Sequence, residues 1–341
     1  AKAALRAAAE NLNRYPEADA ATLRQAIAAA EGLDADRIIC GSGSMELLAL
    51  LAQAYLGPED EIVISQYGYV FFRTLAELVG ARFVLAPERA FKTDIDAMLA
   101  RVTPRTRMVL VANPNNPTGS LLPRAEIERL RAALRGDIIL VIDAAYAEYV
   151  TEPGFEPGVA LVDAGANTVM MRTFSKIHGL AGLRVGWGYF PAPIAGIVNR
   201  MRNPNNVTAI GIAVAAAAIA DRSHIATIRA ANAGLRARFI DDLRRIGTAE
   251  DVVLNGRRRS NFHRCCTHLG RQRFLLTDDR IERLRNWLSL GFLERDRLQF
   301  WTQRLDVARH LHFHRVDAGG NDGDADAAFH VVENGRTEND P

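Results

Sequence analysis

The sequence predicts an α/β sandwich, because short apolar runs alternate with amphipathic stretches along the chain. The runs are rich in β-branched residues and end at turn residues, and the stretches between them have helical spacing. A length of 341 residues and a hydrophobic content of 48% are sufficient for a substantial core. The strand candidates are residues 36–40, 61–65, 83–86, 107–112, 138–142, 168–172 and 184–189.

The first strand candidate leads into a glycine turn, Gly41-Ser-Gly-Ser-Met-Glu46, and then into an apolar-periodic run over residues 47–55. A helix that begins there presents unpaired N–H groups and the positive end of its dipole, which together bind anions. An ordinary helix capped by Ser44 explains the segment equally well. A dinucleotide-binding site is disfavoured. Glu46 replaces the third glycine of the Gly-x-Gly-x-x-Gly motif that such sites use, and no acidic residue that could bind the ribose is evident.

An asparagine-rich turn, Asn113-Pro-Asn-Asn-Pro-Thr-Gly119, follows the apolar strand at 107–112. Such residues form tight turns without any further role. The expected position is the carboxyl end of a strand, where open α/β sheets bind their ligands. This position favours a binding role for Asn116.

The strand at 138–142 is followed by Asp143. A buried carboxylate is costly unless it has a partner. Either an arginine or a protonated pyridine nitrogen would hold it ionised. Tyr146, three residues further on, could reach a phenolate oxygen on the same ring.

Lys176 is one of three lysines in a chain with 39 arginines. An amine forms a Schiff base with an aldehyde, whereas a surface position is the ordinary alternative for a lysine. The residue lies in the turn after the strand at 168–172, beside Thr173 and Ser175, with Arg184 eight residues further on. Two hydroxyls, a guanidinium and a reactive amine suit a phosphorylated aldehyde.

These motifs, in this order, resemble those of fold-type I pyridoxal-phosphate aminotransferases. Within that family, the string Phe174-Ser-Lys-Ile-His-Gly-Leu-Ala-Gly-Leu-Arg184 is most similar to the histidinol-phosphate aminotransferases. The resemblance extends from about residue 13 to about residue 247 and does not include the chain after about residue 250.

The resemblance implies a mostly parallel seven-stranded sheet with helices on both faces, in a large cofactor domain of residues 31–224. A smaller α+β domain is expected from residues 1–30 and 225–316. The alanine-rich run from residue 210 to about residue 246 is expected to be helical and to lead into the smaller domain. Residues 317–341 are acidic, Gly/Asn-rich and weak in apolar periodicity, which predicts a disordered tail.

The cofactor that the resemblance implies is pyridoxal 5′-phosphate. Lys176 would form the Schiff base and move the proton of the substrate's Cα. Asp143 would keep the pyridine nitrogen protonated, which makes the ring an electron sink. Asn116 and Tyr146 would donate to the ring's O3′, and Tyr69 would stack on the ring.

The resemblance also implies a phosphate cradle and a homodimer. Tyr15 matches a tyrosine that reaches the partner subunit's phosphate, so that the active site is shared between two subunits. The cradle residues would be Gly43, Ser44, Met45, Thr173, Ser175 and Arg184.

The activity implied is a ping-pong exchange between a small-molecule amino donor and a 2-oxo acid. Histidinol phosphate and 2-oxoglutarate would give imidazole acetol phosphate and glutamate, in histidine biosynthesis. An aromatic-amino-acid aminotransferase, a phosphothreonine-type decarboxylase and a cofactor-binding but catalytically impaired protein are the alternatives. The preferred donor does not follow from the sequence.

The chain departs from the family pattern at several places. Met45 replaces an aspartate, Ala144 replaces a glutamate, and the usual arm before the first helix is not found. The Arg-hydrophobic-Ser/Thr-x-Gly string that binds the substrate carboxylate is not found either. After Asp251, fourteen arginines lie between residues 257 and 315. A coding-frame change near residue 250 and genuine divergence both explain this composition.

Other classes of function are disfavoured. A formal net charge of +2 is too balanced for a nucleic-acid-binding protein, although the arginine-rich segment keeps that alternative open. With three cysteines, no signal peptide and no long apolar span, we expect a cytoplasmic protein with no membrane contact. His310, His312 and His314 have the spacing of a metal cluster but lack carboxylate or cysteine partners, so no metal site is predicted.

Overall fold

The computed structural model describes residues 1–165 and 167–245. Over these residues the chain forms a seven-stranded sheet and its flanking helices. The strands are β1 (Ile38–Gly41), β2 (Glu61–Ser65), β3 (Arg82–Ala86), β4 (Thr106–Ala112), β5 (Ile139–Asp143), β6 (Thr168–Thr173) and β7 (Gly186–Tyr189). The α-helices are α1 (Lys2–Ala9), α2 (Ala21–Glu31), α3 (Ser44–Tyr55), α4 (Phe71–Leu78), α5 (Ile95–Leu99), α6 (Arg124–Ala133), α7 (Val159–Asp163), α8 (Ala192–Met201), α9 (Ala209–Ala220) and α10 (Arg222–Arg245).

The strand order is β1-β7-β6-β5-β4-β2-β3. The four pairings among β2, β3, β4, β5 and β6 are parallel, and β7 runs antiparallel to both β1 and β6. The predicted mostly parallel seven-stranded sheet is therefore confirmed. Ala112 of β4 pairs with Asp143 of β5, and Asp143 pairs with Met171 of β6. The carboxyl ends of three neighbouring strands thus meet at one edge.

Helices cover both faces of the sheet, as predicted. Because side chains alternate along a strand, neighbouring residues of one strand join different cores. Met171 lies in the core beneath α3, α4 and α8, whereas Met170 lies in the core beneath α2 and α9. Helices α5 and α6 pack on Val109 and Leu140, farther along the second face. The central strands are buried on both sides, which explains their continuous apolar runs.

Two predicted strands are shorter in the structure. A 3-10 turn, Ala35–Arg37, replaces the first residues of the expected strand at 36–40, because the Asp34 carboxylate accepts a hydrogen bond from the Asp36 N–H. The expected strand at 184–189 begins only at Gly186. Arg184 has a φ of 53°, in the left-handed region, and follows the 3-10 turn Ala181–Leu183.

Helix α3 begins at Ser44, so the alternative in which Ser44 caps this helix is wrong. Gly43 is the N-cap, with a φ of 79° that favours glycine, and it supplies no side-chain cap. The Glu46 carboxylate instead accepts a hydrogen bond from the Ser42 N–H. The N–H groups at the start of α3 therefore have no side-chain cap from Gly43.

The alanine-rich run after residue 210 is helical, as predicted, but it forms two helices instead of one continuous helix. Helices α9 and α10 are bent by 73° at Asp221, where ψ is 74°. The Asp221 carboxylate accepts hydrogen bonds from the Ser223 hydroxyl and the His224 N–H. An aspartate that caps a new helix competes with continuation of the previous one, and the alanine-rich composition does not reveal this competition.

The division into domains at 31–224, 1–30 and 225–316 stays a prediction. Residues 246–316, the tail at 317–341 and the His310 cluster lie outside the described residues. Within the described part, no group of His, Cys, Asp and Glu side chains could hold a metal ion. In the same part, no single helix has the length and apolar character to cross a membrane, although the bent pair α9 and α10 meets those two criteria jointly.

Candidate active site

A cavity of about 190 Å³ opens at the carboxyl edge of β4, β5 and β6. Its walls come from the start of α3, the segment after β2 and the turns after the three central strands. Of the predicted site residues, all line this cavity except Gly43 and Tyr15. The lining residues are Ser44, Met45, Tyr69, Ala112, Pro114, Asn116, Asp143, Ala145, Tyr146, Thr173, Ser175, Lys176, Ala181 and Arg184.

Asp143 is the last residue of β5 and is 5% exposed. Burial raises the pKa of its carboxyl to about 6, although a hydrogen bond from the Ala145 N–H and the charge of Lys176 lower it. That hydrogen bond measures 3.1 Å between the Ala145 nitrogen and Oδ1. A carboxylate in this position is stabilised by a cation that enters the cavity. The arginine partner considered as an alternative is not seen among the described residues.

Of the three asparagines after β4, two stabilise the turn and one lines the cavity. Asn113 Oδ1 accepts a hydrogen bond of 2.8 Å from the Leu122 N–H. Asn115 Nδ2 donates to the Thr118 hydroxyl at 2.9 Å and to the Tyr67 carbonyl oxygen at 3.3 Å. Both residues are buried and fix the turn, whereas Asn116 lines the cavity. The turn thereby presents one amide to a ligand.

Lys176 lies in the turn after β6, on the side of Tyr146. Its Nζ is 5.1 Å from the centre of the Tyr146 ring. The turn is fixed by hydrogen bonds of the backbone, from the Gly179 N–H to the Lys176 carbonyl and from the Leu180 N–H to the Phe174 carbonyl. The amine therefore enters the cavity from a well-supported turn.

The predicted phosphate cradle has its members on two neighbouring segments. A guanidinium nitrogen of Arg184 lies 3.4 Å from Ser175 Oγ and 3.1 Å from the Ala181 carbonyl oxygen. A Cβ on Gly43 would lie 2.7 Å from the other terminal nitrogen of Arg184. The start of α3 and the Arg184 side chain are thus adjacent. Both attract anions, the first through its free N–H groups and the second through its charge.

The Thr173 hydroxyl also has contacts within its own turn. It accepts a hydrogen bond of 3.1 Å from the Ser175 N–H and lies 3.5 Å from the Val185 carbonyl oxygen. These contacts hold the Ser175 hydroxyl near Arg184. The role of Thr173 in phosphate binding stays a prediction.

Tyr69 forms part of the wall of the cavity. Its ring packs edge-on against Phe72, with 5.6 Å between ring centres, and lies 6.2 Å from the ring of Phe71. Burial raises the pKa of its phenol, and the Asp143 charge adds to this effect. The tyrosine therefore stays neutral and offers a planar apolar face.

Tyr15 is 92% exposed and does not line the cavity of its own chain. The sequence interpretation assigned it to the site of a partner subunit. An outward-facing side chain is compatible with that assignment, which stays a prediction.

Some residues that shape the cavity have no sequence signal for such a role. Ala112, Pro114, Ala145 and Ala181 line it through small side chains. Gly186 allows β7 to lie close to the start of α3, because a Cβ there would lie 2.1 Å from the Ser44 nitrogen. Only the alternation Gly-Trp-Gly in a strand could have pointed to this close approach.

The comparisons with known proteins indicate one family. The model of the family "Aminotransferase class I and II" matches residues 1–253. A histidinol-phosphate aminotransferase from Cereibacter sphaeroides strain KD131 is 48% identical over 254 residues, which are 74% of this chain and 70% of the relative.

Two solved structures are similar to this chain in fold and sequence. Histidinol-phosphate aminotransferase from Sinorhizobium meliloti, in complex with pyridoxal-5′-phosphate, gives a TM-score of 0.69 at 30% identity over 72% of this chain and 67% of that one. L-threonine-O-3-phosphate decarboxylase from Porphyromonas gingivalis gives a TM-score of 0.61 at 25% identity over 72% and 73%.

The family match ends where the composition changes. Its last residue, 253, lies next to the predicted limit near residue 250, so the prediction that the carboxy-terminal part does not match the family is confirmed. Because the match includes 253 of the 341 residues and all of the cavity, the chain belongs to the class I and II aminotransferase family.

Proposed function

We propose that this chain is a pyridoxal-phosphate-dependent aminotransferase that acts on histidinol phosphate and 2-oxoglutarate. The products would be imidazole acetol phosphate and glutamate. The observation that carries the proposal is one cavity lined by the Lys176 amine, the Asp143 carboxylate and the Ser175–Arg184 anion cradle. The name of the Cereibacter relative supports the choice of substrate.

The residues present fit the cofactor at each of its functional groups. The aldehyde requires an amine, which Lys176 supplies. The pyridine nitrogen requires an acid, and Asp143 is a buried carboxyl whose pKa is raised by burial. The phosphate requires free N–H groups and a cation, which the start of α3 and Arg184 supply. Asn116 and Tyr146 would donate to the ring's O3′, and Tyr69 would stack on the ring.

When bound, the cofactor supplies an electron sink for the pair of electrons left at the substrate's Cα. Lys176 would take the proton from this Cα and deliver it to the C4′ carbon of the cofactor. Asp143 would keep a proton on the pyridine nitrogen. Tyr69 and the small residues Ala112 and Ala181 would limit water in the cavity, which strengthens these charge interactions.

The proposal includes a homodimer in the cytoplasm. Tyr15 would extend from one subunit to the phosphate of the other, and its 92% exposure leaves it free to do so. Cys40 is a free, buried thiol, which suits a reducing compartment. Light scattering of the purified chain tests the dimer, and cell fractionation tests the location.

A phosphothreonine-type decarboxylase is the second candidate, because the Porphyromonas enzyme shares the fold and has 25% sequence identity. Single-turnover absorbance with separate amino donors distinguishes the two. We expect histidinol phosphate to convert the bound cofactor fastest, with aromatic amino acids slower. Release of CO₂ from phosphothreonine would favour the decarboxylase. Cofactor binding without conversion by any donor would favour the catalytically impaired protein.

A further inference from the structure

A buried charged cluster lies beside the turns that carry Tyr146 and Lys176, and the proposed reaction does not use it. A guanidinium nitrogen of Arg172 lies 2.7 Å from Glu148 Oε1, and His178 Nε2 lies 3.6 Å from the same oxygen. The three side chains are between 3% and 8% exposed. Water therefore screens these charges little.

Each member of the cluster is close in sequence to a residue that lines the cavity. Glu148 follows Tyr146 by two residues, and His178 follows Lys176 by two. Arg172 belongs to β6, the strand that leads into the Lys176 turn. The Arg172–Glu148 ion pair thus joins β6 to the turn after β5, and His178 brings the Lys176 turn to the same carboxylate.

The cluster is fixed by further contacts on its outer sides. Arg172 lies 3.7 Å from the Glu31 carboxylate of α2. The His178 ring packs on Phe174 with 4.8 Å between ring centres. Burial alone would raise the pKa of the Glu148 carboxyl, but Arg172 and the hydrogen bonds with His178 and Arg172 lower it to about 2. The carboxylate is consequently charged at neutral pH.

Two turns that are joined through one buried charge have little freedom to move relative to each other. The polar atoms Glu148 Oε2, Arg172 Nε and His178 Nδ1 are buried without a hydrogen-bond partner among the described residues. Unsatisfied buried groups are costly, and a packed core without charges would avoid that cost. This suggests that the cluster has a role other than stability.

We propose that Glu148 is a positioning residue, whose carboxylate, held by Arg172 and His178, sets the Tyr146 turn against the Lys176 turn. The inference rests on the proposed function, in which the Lys176 nitrogen replaces the aldehyde oxygen of the cofactor and that oxygen leaves as water. Reactions between held groups are sensitive to displacements of about 1 Å. Loss of the cluster therefore slows this covalent step without weakening the phosphate cradle.

The test uses the full chain, freed of cofactor, as wild type, as Glu148→Gln and as the double variant Glu148→Met/Arg172→Met. The double variant removes both charges together and keeps similar volumes, which preserves stability better than removal of one partner. Stopped-flow absorbance at several pyridoxal phosphate concentrations separates the initial dissociation constant from the first-order rate of the covalent step. Reductive methylation with formaldehyde, mapped by mass spectrometry, reports Lys176 accessibility without the cofactor.

We expect the double variant to fold and to form the covalent linkage about tenfold more slowly, with an unchanged dissociation constant and unchanged methylation of Lys176. Glu148→Gln, which keeps an acceptor but loses the charge, would give an intermediate rate. A wild-type rate in the folded double variant would overturn the proposal. If the double variant does not fold, a wild-type rate in Glu148→Gln would overturn it in the same way. Absence of any linkage in the wild type would instead refute the proposed function.

Discussion

The Lys176 amine nitrogen lies 5.1 Å from the centre of the Tyr146 ring, although the two residues are on turns that follow different strands. Strands β5 and β6 are parallel neighbours, so their carboxyl ends bring both turns to one cavity. Asp143 lines the same cavity from the end of β5. The topology of the sheet thus brings together Asp143 and Lys176, which are 33 positions apart in the sequence.

The Asp143 carboxyl makes the cofactor-free protein more stable at mildly acidic pH. Its pKa is about 6 in the folded chain and 3.8 in its ordinary state, so the folded chain binds the additional proton between these values. Above pH 6 the cost of burying the charge lowers the free energy of unfolding by roughly 3 kcal/mol. This cost disappears as the pH falls to about 4. Urea unfolding from pH 4.5 to 8 measures it, and Asp143→Asn should remove this dependence. An unchanged pH profile in that variant would contradict the assignment.

The Glu148 carboxyl has the opposite effect in a lower pH range. Its pKa falls from 4.5 to about 2 on folding, so its stabilising contribution is present above pH 4.5 and is lost as the pH falls towards 2. Acid unfolding of Glu148→Gln should therefore be less steep than that of the wild type in this range. Equal slopes for the two proteins would show that folding does not lower the pKa of the Glu148 carboxyl.

Removal of Arg172 leaves Glu148 as a buried charge with its main partner absent. We expect Arg172→Met to lower the free energy of unfolding at pH 7 by about 3–5 kcal/mol. Arg124→Met is the matched control, because Arg124 pairs with Glu128 on an exposed helix surface and such pairs contribute little. Urea unfolding of both variants checks the difference, and similar midpoints would contradict the prediction.

Several strands of the sheet and two residues of the candidate site were predictable from the sequence. The strands at 61–65, 83–86, 107–112 and 168–172 agree with the structure within one residue, because buried strands of a parallel sheet are continuous apolar runs. Asn116 was predicted to have a binding role because it follows a strand end at the ligand-binding edge, and Asp143 because a buried carboxylate at a strand end needs a partner.

Other features depend on distant contacts and could not be predicted in this way. The left-handed backbone of Arg184 and the contact between Gly186 and Ser44 require two segments of the chain to be packed together. The pairing of Arg172 with Glu148 is also distant in the sequence. At Asp221, a local cap ended a helix that its alanine-rich composition would have continued.

A side chain at Gly186 should disrupt the phosphate cradle. A Cβ there would lie 2.1 Å from the Ser44 nitrogen and 2.6 Å from the Gly43 carbonyl carbon, so the peptide between these residues must move. We expect Gly186→Ala to destabilise the protein by about 1–3 kcal/mol and to weaken pyridoxal phosphate binding. Gly182→Ala is the control in the same hairpin, because its Cβ would meet nothing within 4 Å. Equal affinities in the two variants would contradict this account of the cradle.

Tyr15 should influence cofactor binding only in the dimer. Tyr15→Phe removes one hydroxyl from an exposed position, so the stability of the single chain should not change. If the hydroxyl binds the phosphate of the partner subunit, the dissociation constant of pyridoxal phosphate should rise about tenfold, as for loss of a hydrogen bond to a charged group. Fluorescence titration measures the constant, and Tyr55→Phe is a control outside the cavity lining. An unchanged constant in a confirmed dimer would refute the role of Tyr15.

The assignment of Lys176 is best tested by locating the bond that the chain forms with pyridoxal phosphate. The chain is mixed with the cofactor, reduced with borohydride, digested and mapped by mass spectrometry. With Lys2, Lys92 and Lys176 as the only lysines, every competing side-chain amine is known. We predict a pH-sensitive absorbance band and a reduced adduct on Lys176, both of which Lys176→Ala abolishes. An adduct on Lys2 or Lys92 alone, or its survival in Lys176→Ala, would contradict the assignment of the active site.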